Sequence, residues 1–332
     1  MRSKKRNNNG LKIFVSILAI LVIGILGYIY SIYANVKDSM DTAYTPVEVE
    51  TFRTSNTGTV ADSSEDEESR TNAGAMTPSE LLEAGEPVSI LLLGVDTGDL
   101  GRTEQGRSDS MVVVTINPHT QKTTLLSIPR DTYTEIVGYG TSDKINHAYA
   151  FGGTAMSINT VQQMLDIPID FYVMVNMAGI QEIVDAVGGI TVESPLAFTQ
   201  NEYDFVQGTN QLDGEAALAF ARMRYEDPAG DTGRQGRQRL VIEAVIRKLA
   251  TPETLLNYQT ILQSLSSNVQ TSFQLSDFYT LQSQDYLGAV DNMNQQQLGG
   301  TGGMMNEIYY NFVDGTELTR VQDLLQAELE LE

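Results

Sequence analysis

The chain has 332 residues, of which 41% are hydrophobic, so it can build a substantial core and is not disordered throughout. Its formal charge of −22, from 43 acidic and 21 basic residues, excludes general nucleic-acid binding, which needs a broad basic surface. Without cysteine and with only two histidines, it has no disulfide or thiol nucleophile, and a bound metal would need oxygen ligands, which favours Mg²⁺, Mn²⁺ or Ca²⁺.

A long uncharged stretch, residues 13–36, follows a basic tail at residues 1–12. As a helix it is long enough to cross a hydrocarbon core of about 30 Å. The basic residues of the tail are Arg2, Lys4, Lys5, Arg6 and Lys12. By the positive-inside rule they place the N-terminus in the cytoplasm. A cleaved signal peptide has the same charge order, but this apolar run is too long and no A-x-A-like site closes it. We therefore predict a single-pass protein of the cell membrane.

Residues 37–86 are polar, and the segment 61–74 combines serines with a run of acids that cannot bury a core. We predict a flexible extracytoplasmic linker here. Near its end, the sequence Thr-Pro-Ser-Glu predicts a short capped helix over residues 77–84.

Residues 87–332 alternate between strand-like and helical segments, which predicts an extracytoplasmic α/β domain with a central mixed sheet flanked by helices. Short runs rich in Val, Ile and Leu predict strands at 88–95, 111–117, 123–128, 171–177 and 190–193. Helices are predicted at 155–165, 179–187, 213–221, 234–250, 252–265 and 318–329. The Gln-, Gly- and Met-rich segment 295–305 is predicted to be a loop.

Two acids mark neighbouring strand ends, where α/β folds usually bind ligands. One predicted strand ends at Asp96, and the next begins just after Asp109. Two close carboxylates repel each other unless a cation lies between them, and Mg²⁺ held by carboxylates and substrate phosphate oxygens fits this arrangement. Alternatively, both are turn residues that bond their own backbone.

Five arginines lie within residues 222–239 of this acidic chain. They are Arg222, Arg224, Arg234, Arg237 and Arg239. Arg222 and Arg224 follow a helix that Asp213 can cap, and they project to one side if the chain is extended.

The next predicted helix places Arg234, Arg237 and Gln238 on one face. Arginine in a first turn opposes the helix dipole and calls for an anion, so this helix start predicts a phosphate site. The alternative is a solvated face whose arginines pair with the nearby acids Glu226, Asp227 and Asp231.

Arg130 follows another predicted strand and either joins the same cluster or pairs with Asp131. His147, in KINHAYAFGG, more often serves structure than catalysis when it stands alone. No G-x-S-x-G, P-loop or G-x-G-x-x-G motif is present, which removes the usual hydrolase and nucleotide-binding signatures.

Several motifs occur in one order behind the predicted transmembrane helix. They are GVD…RSDSM…NP, SIPRD, KINHAYAFGG, VDAVGG and ARMRYEDPAGDTGRQGRQ. Together, over about residues 88–249, they resemble the LytR-CpsA-Psr family. That family transfers an anionic glycopolymer from a polyprenyl-pyrophosphate carrier to peptidoglycan, outside the membrane of Gram-positive cells. The resemblance therefore implies a Mg²⁺-dependent phosphotransferase acting on teichoic acid or a capsule-type polysaccharide.

The resemblance also implies roles for individual residues. Asp96 and Asp109 would bind Mg²⁺, and Asp231 matches a family acid of less certain role. The residues expected to hold the pyrophosphate are Arg107, Arg130, Arg222, Arg224, Arg234 and Gln238. The catalytic set expected is Asp96, Asp109, Arg107, Arg222, Arg224 and Asp231. The polyprenyl tail would enter an apolar tunnel between sheet and helices. The chain departs from the pattern in its long acidic linker, and it has Arg102 where an arginine usually lies closer to Asp96.

The polymer, its carrier and the membrane surface are all anionic, so a chain of charge −22 needs a local site of arginines and metal to accept them. These cations would stabilise the departing lipid phosphate while a sugar hydroxyl attacks the other phosphorus, and a carboxylate would take the proton. Two alternatives remain: a polyprenyl-pyrophosphate phosphatase that uses water, and a non-catalytic domain that binds lipid or wall polymer.

Overall fold

The computed structural model describes residues 43–47, 76–96, 106–251 and 268–331. The predicted transmembrane segment 13–36, most of the predicted linker and the predicted helix 252–265 lie outside these ranges. Within them, no helix combines the length and apolar character that a membrane crossing requires.

Strands and helices alternate along the described chain. The strands are β1 (Val88–Val95), β2 (Ser108–Asn117), β3 (Lys122–Ile128), β4 (Tyr133–Ile136), β5 (Thr141–Lys144), β6 (Phe171–Asn176), β7 (Ile190–Ser194), β8 (Phe198–Gln200), β9 (Tyr203–Phe205), β10 (Gly208–Leu212), β11 (Val269–Thr271), β12 (Met293–Gln297), β13 (Thr301–Met305) and β14 (Ile308–Phe312). The helices are α1 (Pro78–Ala84), α2 (His147–Leu165), α3 (Met177–Ala186), α4 (Gly214–Arg222), α5 (Asp231–Leu249), α6 (Leu275–Ser283) and α7 (Gly315–Glu328), with a 3₁₀ turn at Gly288–Asp291.

The central sheet has six strands in the order β11-β6-β1-β2-β3-β12. Strand β1 is parallel to β6 and β3 is parallel to β12, whereas the β1–β2, β2–β3 and β6–β11 pairs are antiparallel. The prediction of a mixed sheet flanked by helices is therefore confirmed. Because of these directions, the carboxyl ends of β1, β3 and β6 meet the amino end of β2 at one edge of the sheet.

Each face of the sheet has its own core. Leu91 and Leu93 of β1 and Val113 of β2 point to one face, where they pack against α2 and α7. Ile90 and Val112 alternate with them and point to the opposite face, as the twofold periodicity of a strand requires. A third hydrophobic cluster packs α3, α4 and α5 against the paired strands β7 and β10.

The predicted starts of two helices are confirmed by their capping residues. Thr77 and Glu80 form a capping box at the start of α1, since the Thr77 side chain accepts from Glu80 N–H and the Glu80 side chain accepts from Thr77 N–H. The Asp213 side chain accepts from Ala216 N–H and so caps α4. The predicted strand 171–177 is one residue too long, because Asn176 caps α3 and Met177 already belongs to that helix.

The prediction of a loop over residues 295–305 is wrong. Strand β12 lies in this segment and extends the central sheet beside β3, with Gln295 opposite Leu125. Its polar residues are tolerated because an edge strand is only half buried. Strands β13 and β14 form a hairpin around Asn306 and Glu307, which both have positive φ, as a tight two-residue turn requires.

Leu91 and Leu92 are adjacent but face opposite sides of β1, which allows a direct comparison of the two faces. Leu91 is fully buried in the α2–α7 core, whereas Leu92 is partly buried and lines a cavity on the other face. We expect Leu91→Ala to reduce the free energy of unfolding by about 2–5 kcal/mol, as for other buried leucines. Leu92→Ala should cost less, because its side chain borders space that is already empty. Urea unfolding of both variants measures this, and equal losses would contradict the assignment of faces.

Candidate functional site

Asp96 and Asp109 lie at the same end of the β1–β2 pair, because these two strands are antiparallel. Beyond the end of β1, the Asp96 N–H donates to the Arg107 carbonyl at 3.2 Å, and the Arg107 N–H donates to Asp96 Oδ1 at 2.6 Å. Asp96 thus accepts from the neighbouring segment. The Arg107 side chain is exposed.

Asp109 belongs to β2, so the prediction that this strand begins after it is wrong. Gly94 pairs with Ser110 and Val95 with Ser108, which leaves Asp109 as the extra residue of a β-bulge. A bulge re-aims a side chain at the sheet edge, and bulges are common beside active sites. Hydrophobic patterning alone gives no signal for it.

Arg130 contacts Asp109 and Asp131 from the end of β3. Its Nη1 lies 2.8 Å from Asp109 Oδ1, and its Nε lies 3.8 Å from Asp131 Oδ2. Burial lowers the pKa of Arg130, but the charges of Asp109, Asp231 and Asp131 outweigh this effect and leave the pKa above its ordinary value. Both sequence expectations for Arg130 therefore apply, because it contacts the cluster and its chain neighbour.

Another acid, Asp231, pairs with arginines of α5 and of the preceding loop. Arg234 Nη2 lies 2.7 Å from Asp231 Oδ1, and Arg224 Nε lies 3.8 Å from the same oxygen. Burial lowers the pKa of Arg234, an effect opposed by Asp231 and Asp109 and reinforced by Arg130 and Arg224. These mutual effects show that β2, β3 and the start of α5 bring their charged side chains to one place. The Nε of Arg234 is buried without a hydrogen-bond partner among the described residues.

Helix α5 starts at Asp231, earlier than predicted, and this changes the argument for Arg234. Arg234 lies one turn inside the helix, and the residue that faces the helix dipole in the first turn is the acid Asp231. The dipole therefore does not oppose Arg234 in the way predicted. The case for an anion rests instead on the surroundings of Arg234, because burial, Arg130 and Arg224 lower its pKa while Asp231 and Asp109 raise it.

Gln235 supports Asp231 and was missed in the sequence. It is buried, and its Nε2 donates to Asp231 Oδ2 at 3.0 Å while its Oε1 accepts from Gln297 of β12 at 3.3 Å. Its spacing of four residues from Asp231 is a signal that helical periodicity could have supplied. Gln297 could not have been found, because its strand was taken for a loop.

Arg237 does not belong to the phosphate-facing surface on which it was predicted. It is 0% exposed, and it donates to Asp227 and to the carbonyls of Phe220 and Met223. Burial raises the pKa of Asp227, but hydrogen bonds from Arg237 and from Ala229 N–H hold it below its ordinary value. This buried pair fixes the loop between α4 and α5. Burial also lowers the pKa of Arg239.

An apolar cavity of about 440 Å³ opens beside this cluster, between the central sheet and helices α3 to α6. It runs along β1 from Gly94 to Ile90 and along β2 from Asp109 to Ile116. Its charged and amide lining near the cluster comes from Asp109, Arg222 and Gln238, and other residues are mostly aliphatic or aromatic. Representative apolar lining residues are Leu92, Val114, Val173, Ile183, Val241 and Phe278.

Asp109 lines this cavity, and with Asp96 at the same end of the β1–β2 pair it offers carboxylate oxygens to a cation. No group of three or more His, Asp or Glu residues able to hold a metal occurs in the described ranges. Mg²⁺ does not require one, because it is commonly bound by one or two carboxylates together with water and substrate phosphates. The hydrogen bond from Arg130 uses Oδ1 of Asp109. The residues therefore fit an ion shared with a phosphate and do not form an all-protein cage.

The chain is similar in sequence and structure to known proteins. Residues 49–327 match the model of the LytR_cpsA_psr family. The polyisoprenyl-teichoic acid–peptidoglycan teichoic acid transferase TagU of Enterococcus faecalis is 44% identical over 97% of this chain and 99% of its own length. The crystal structure of Bacillus subtilis TagU has a TM-score of 0.61 at 41% identity, covering 74% of this chain and 98% of that one. A structure of TagT bound to LI-WTA has a TM-score of 0.62 at 30% identity, covering 75% and 92%.

The structure predicts that Arg237 stabilises the fold and does not bind a ligand. Arg237→Met leaves Asp227 buried without its cation, so we expect the free energy of unfolding to fall by about 3–5 kcal/mol. The matched variant Arg247→Met removes an exposed arginine paired with Glu243 and should cost about 1 kcal/mol or less. Chemical denaturation of both measures the difference. Unchanged stability in Arg237→Met would show that the buried pair is not structural.

Proposed function

The chain belongs to the LytR-CpsA-Psr family, and we propose that it is a membrane-anchored transferase that moves an anionic glycopolymer from a polyprenyl-pyrophosphate carrier to peptidoglycan. The observation that carries this proposal is the junction between the charged cluster and the apolar cavity. A pyrophosphate with a long hydrocarbon tail needs both environments next to each other. The names of the relatives support teichoic acid as the polymer, and a capsule-type polysaccharide has the same chemistry.

The cavity suits the tail of the carrier. Its walls are aliphatic and aromatic side chains from the sheet on one side and from α5 and α6 on the other. An isoprenoid chain gains free energy in proportion to the apolar area it buries, at about 25 cal/mol per Å². Because Asp109, Arg222 and Gln238 line the same cavity near the sheet edge, a tail inside it leaves its phosphates beside the cluster.

The cluster suits the pyrophosphate. Arg130, Arg224 and Arg234 each lie within 4 Å of an acid of the cluster, Asp109 or Asp231. A guanidinium group donates hydrogen bonds in a fork that matches phosphate oxygens, and the buried Nε of Arg234 provides a donor still to be satisfied. We assign Arg222, Gln238 and Arg107 to the same head group, with Asp96 and Asp109 as the ligands of Mg²⁺.

The reaction joins the polymer to its acceptor through a phosphodiester. A hydroxyl oxygen of the acceptor glycan attacks the phosphorus that carries the polymer, and the bond from that phosphorus to the bridging oxygen breaks. Polyprenyl phosphate leaves with the electron pair, and the hydroxyl proton passes to one of the carboxylates Asp96, Asp109 or Asp231. The arginines stabilise the charge that grows on the leaving phosphate. When bound, Mg²⁺ adds further neutralisation of the phosphate oxygens.

Location follows from the same chemistry. The carrier is a membrane lipid and peptidoglycan lies outside the cytoplasm. The domain therefore acts at the extracytoplasmic face of the cell membrane, tethered by the predicted segment 13–36. The described part of the chain is the catalytic domain in this proposal.

We expect Asp109→Ala, Arg130→Ala and Arg234→Ala each to reduce polymer transfer by a factor of about 10² or more, as loss of a charge-stabilising group in a transition state does. The assay supplies the full-length chain with lipid-linked polymer and an oligomeric glycan, and counts glycan-linked polymer by mass spectrometry. The control is Arg247→Ala, an exposed arginine on the same helix as Arg234.

Two results would argue against the transferase, and a third would argue only against the metal. Release of polymer phosphate into water without a glycan-linked product would indicate a phosphatase. Undiminished transfer in all three variants would indicate a binding protein. Full activity after chelation, unaffected by added Mg²⁺, would remove the metal from the proposal. Melting curves of each variant separate a loss of chemistry from a loss of folding.

The cavity proposal predicts which lipid the purified protein retains. Lipid extracted from the full-length chain should contain a long isoprenoid phosphate detectable by mass spectrometry. Val173→Phe replaces a small side chain of the cavity wall with an aromatic ring. It should lower the amount of retained lipid several-fold, because the ring fills cavity volume that the tail needs. Val206→Phe makes the same change at an exposed position and should retain as much as the unaltered chain. Equal retention in both variants would place the lipid elsewhere.

A further inference from the structure

Two aromatic rings form a stacked pair on the surface of the β4–β5 hairpin and α2. The ring centroids of Tyr139 and Phe151 are 4.0 Å apart and their planes differ by 13°. Tyr139 is 51% exposed and Phe151 is 39% exposed, although both are large and apolar. Stacking hides only one face of each ring, so the pair still offers apolar ring surface to a ligand.

The backbone holds both rings outward from different elements. Tyr139 lies in the turn between β4 and β5, flanked by Gly138 and Gly140, which have φ of +80° and +73°. Phe151 ends the first turn of α2, where Gly152 and Gly153 leave the helical conformation. A side chain at Gly140 would meet nothing within 4 Å, so the surface next to Tyr139 is open.

A polar edge adjoins the rings. The His147 ring lies 5.7 Å from that of Phe151, and its Nδ1 is 2.7 Å from Asp143 Oδ2. The Tyr310 hydroxyl donates to Asp143 Oδ1 at 3.2 Å, which holds the acid in place. With Nδ1 carrying the proton toward Asp143, Nε2 of His147 is a hydrogen-bond acceptor. Aromatic rings next to such an acceptor match a pyranose ring, whose C–H face is apolar and whose hydroxyl groups donate.

Backbone hydrogen bonds connect this surface to the phosphate cluster. Asn146 N–H donates to the Arg130 carbonyl at 3.3 Å, and Ile145 N–H donates to the Thr132 carbonyl at 2.8 Å. The residue that begins α2, His147, is therefore next to a backbone contact of Arg130. Lys144 pairs with Asp131 at 2.8 Å, so this cation is already neutralised by an acid.

The charges at this surface favour an uncharged sugar over an anionic polymer. Asp143 is the acid that faces the rings through His147, and Lys144 is committed to Asp131. Among the described residues, an anionic chain would find no cation without an acid partner at this surface, in contrast to the arginine cluster. The two substrates of the proposed transfer differ in the same respect, because the glycan backbone is neutral and the polymer is not.

We propose that Tyr139, Phe151 and His147 form a subsite for a sugar ring of the neutral acceptor glycan, adjacent to the site of phosphoryl transfer. The identification of the sugar as the acceptor rests on the proposed function. The sugar stacks its C–H face on the exposed aromatic pair and donates a hydroxyl hydrogen bond to His147 Nε2. The subsite thereby positions the acceptor beside Arg130 and takes no part in bond breaking.

Saturation-transfer NMR tests the subsite directly. The probe is the N-acetylglucosamine tetramer, a neutral glycan without lipid or phosphate, added to the full-length chain in detergent micelles. Saturation of the aromatic protons should appear on the sugar C–H protons, and Tyr139→Ala should reduce the signal at least about fivefold, since each stacked ring contributes strongly to affinity. Tyr309→Ala is the matched control, because Tyr309 is equally exposed at 51% on the β13–β14 hairpin.

The outcomes separate the subsite from the transferase. In the transfer assay, Tyr139→Ala should raise KM for the acceptor glycan about tenfold at constant kcat and constant retained lipid. Absence of sugar signals in the unaltered chain, or equal signals in both tyrosine variants, overturns the subsite. So does a Tyr139→Ala defect in binding phosphatidylglycerol vesicles without any change for the sugar. Expected sugar signals in a chain that transfers nothing would overturn the transferase and leave the sugar site standing.

Discussion

Guanidinium groups buried next to one another are stable only when anions lie between them, and this constraint organises the site. Asp109 and Asp231 separate Arg130, Arg224 and Arg234. The acids compensate the charges of the two arginines Arg130 and Arg234 unequally. Acids outweigh burial at Arg130 and raise its pKa, whereas burial and two neighbouring cations lower the pKa of Arg234. Both arginines stay charged at neutral pH, so of the two Arg234 is the one that one more anion would stabilise more.

The mixed sheet is what allows this cluster to form. Asp109 stands at the amino end of an antiparallel strand, and Arg130 follows the carboxyl end of the next strand, so both reach one edge. In a purely parallel sheet these ends would lie at opposite edges. The β-bulge then turns Asp109 so that it both bonds Arg130 and lines the cavity. Charge and apolar volume meet at that single residue.

The parts of the fold that hydrophobic patterning and capping specify were predictable from the sequence. Strand β1 was predicted to the residue, since it is a continuous apolar run covered on both faces, and the cap of α4 by Asp213 is a local interaction. Strand β12 was not predictable, because its Asn and Gln residues become strand only through pairing with β3. The structural role of Arg237 was not predictable from the sequence either. Its partner Asp227 packs against Gly233, where any side chain would collide with the carboxylate, and a charge pattern does not reveal such a contact.

Net charge gives the arrangement a further consequence. A chain of charge −22 repels an anionic polymer over most of its surface, and this repulsion extends for about 8 Å at physiological ionic strength. The polymer is therefore favoured to touch the protein only at the arginine cluster and to extend away from it elsewhere. A neutral glycan experiences no such repulsion and is free to lie along the surface that carries Tyr139 and Phe151. In the proposed transfer, the polymer and the glycan approach over different surfaces and do not compete for one path, and only their reacting groups meet at the site assigned to Arg130 and Asp109.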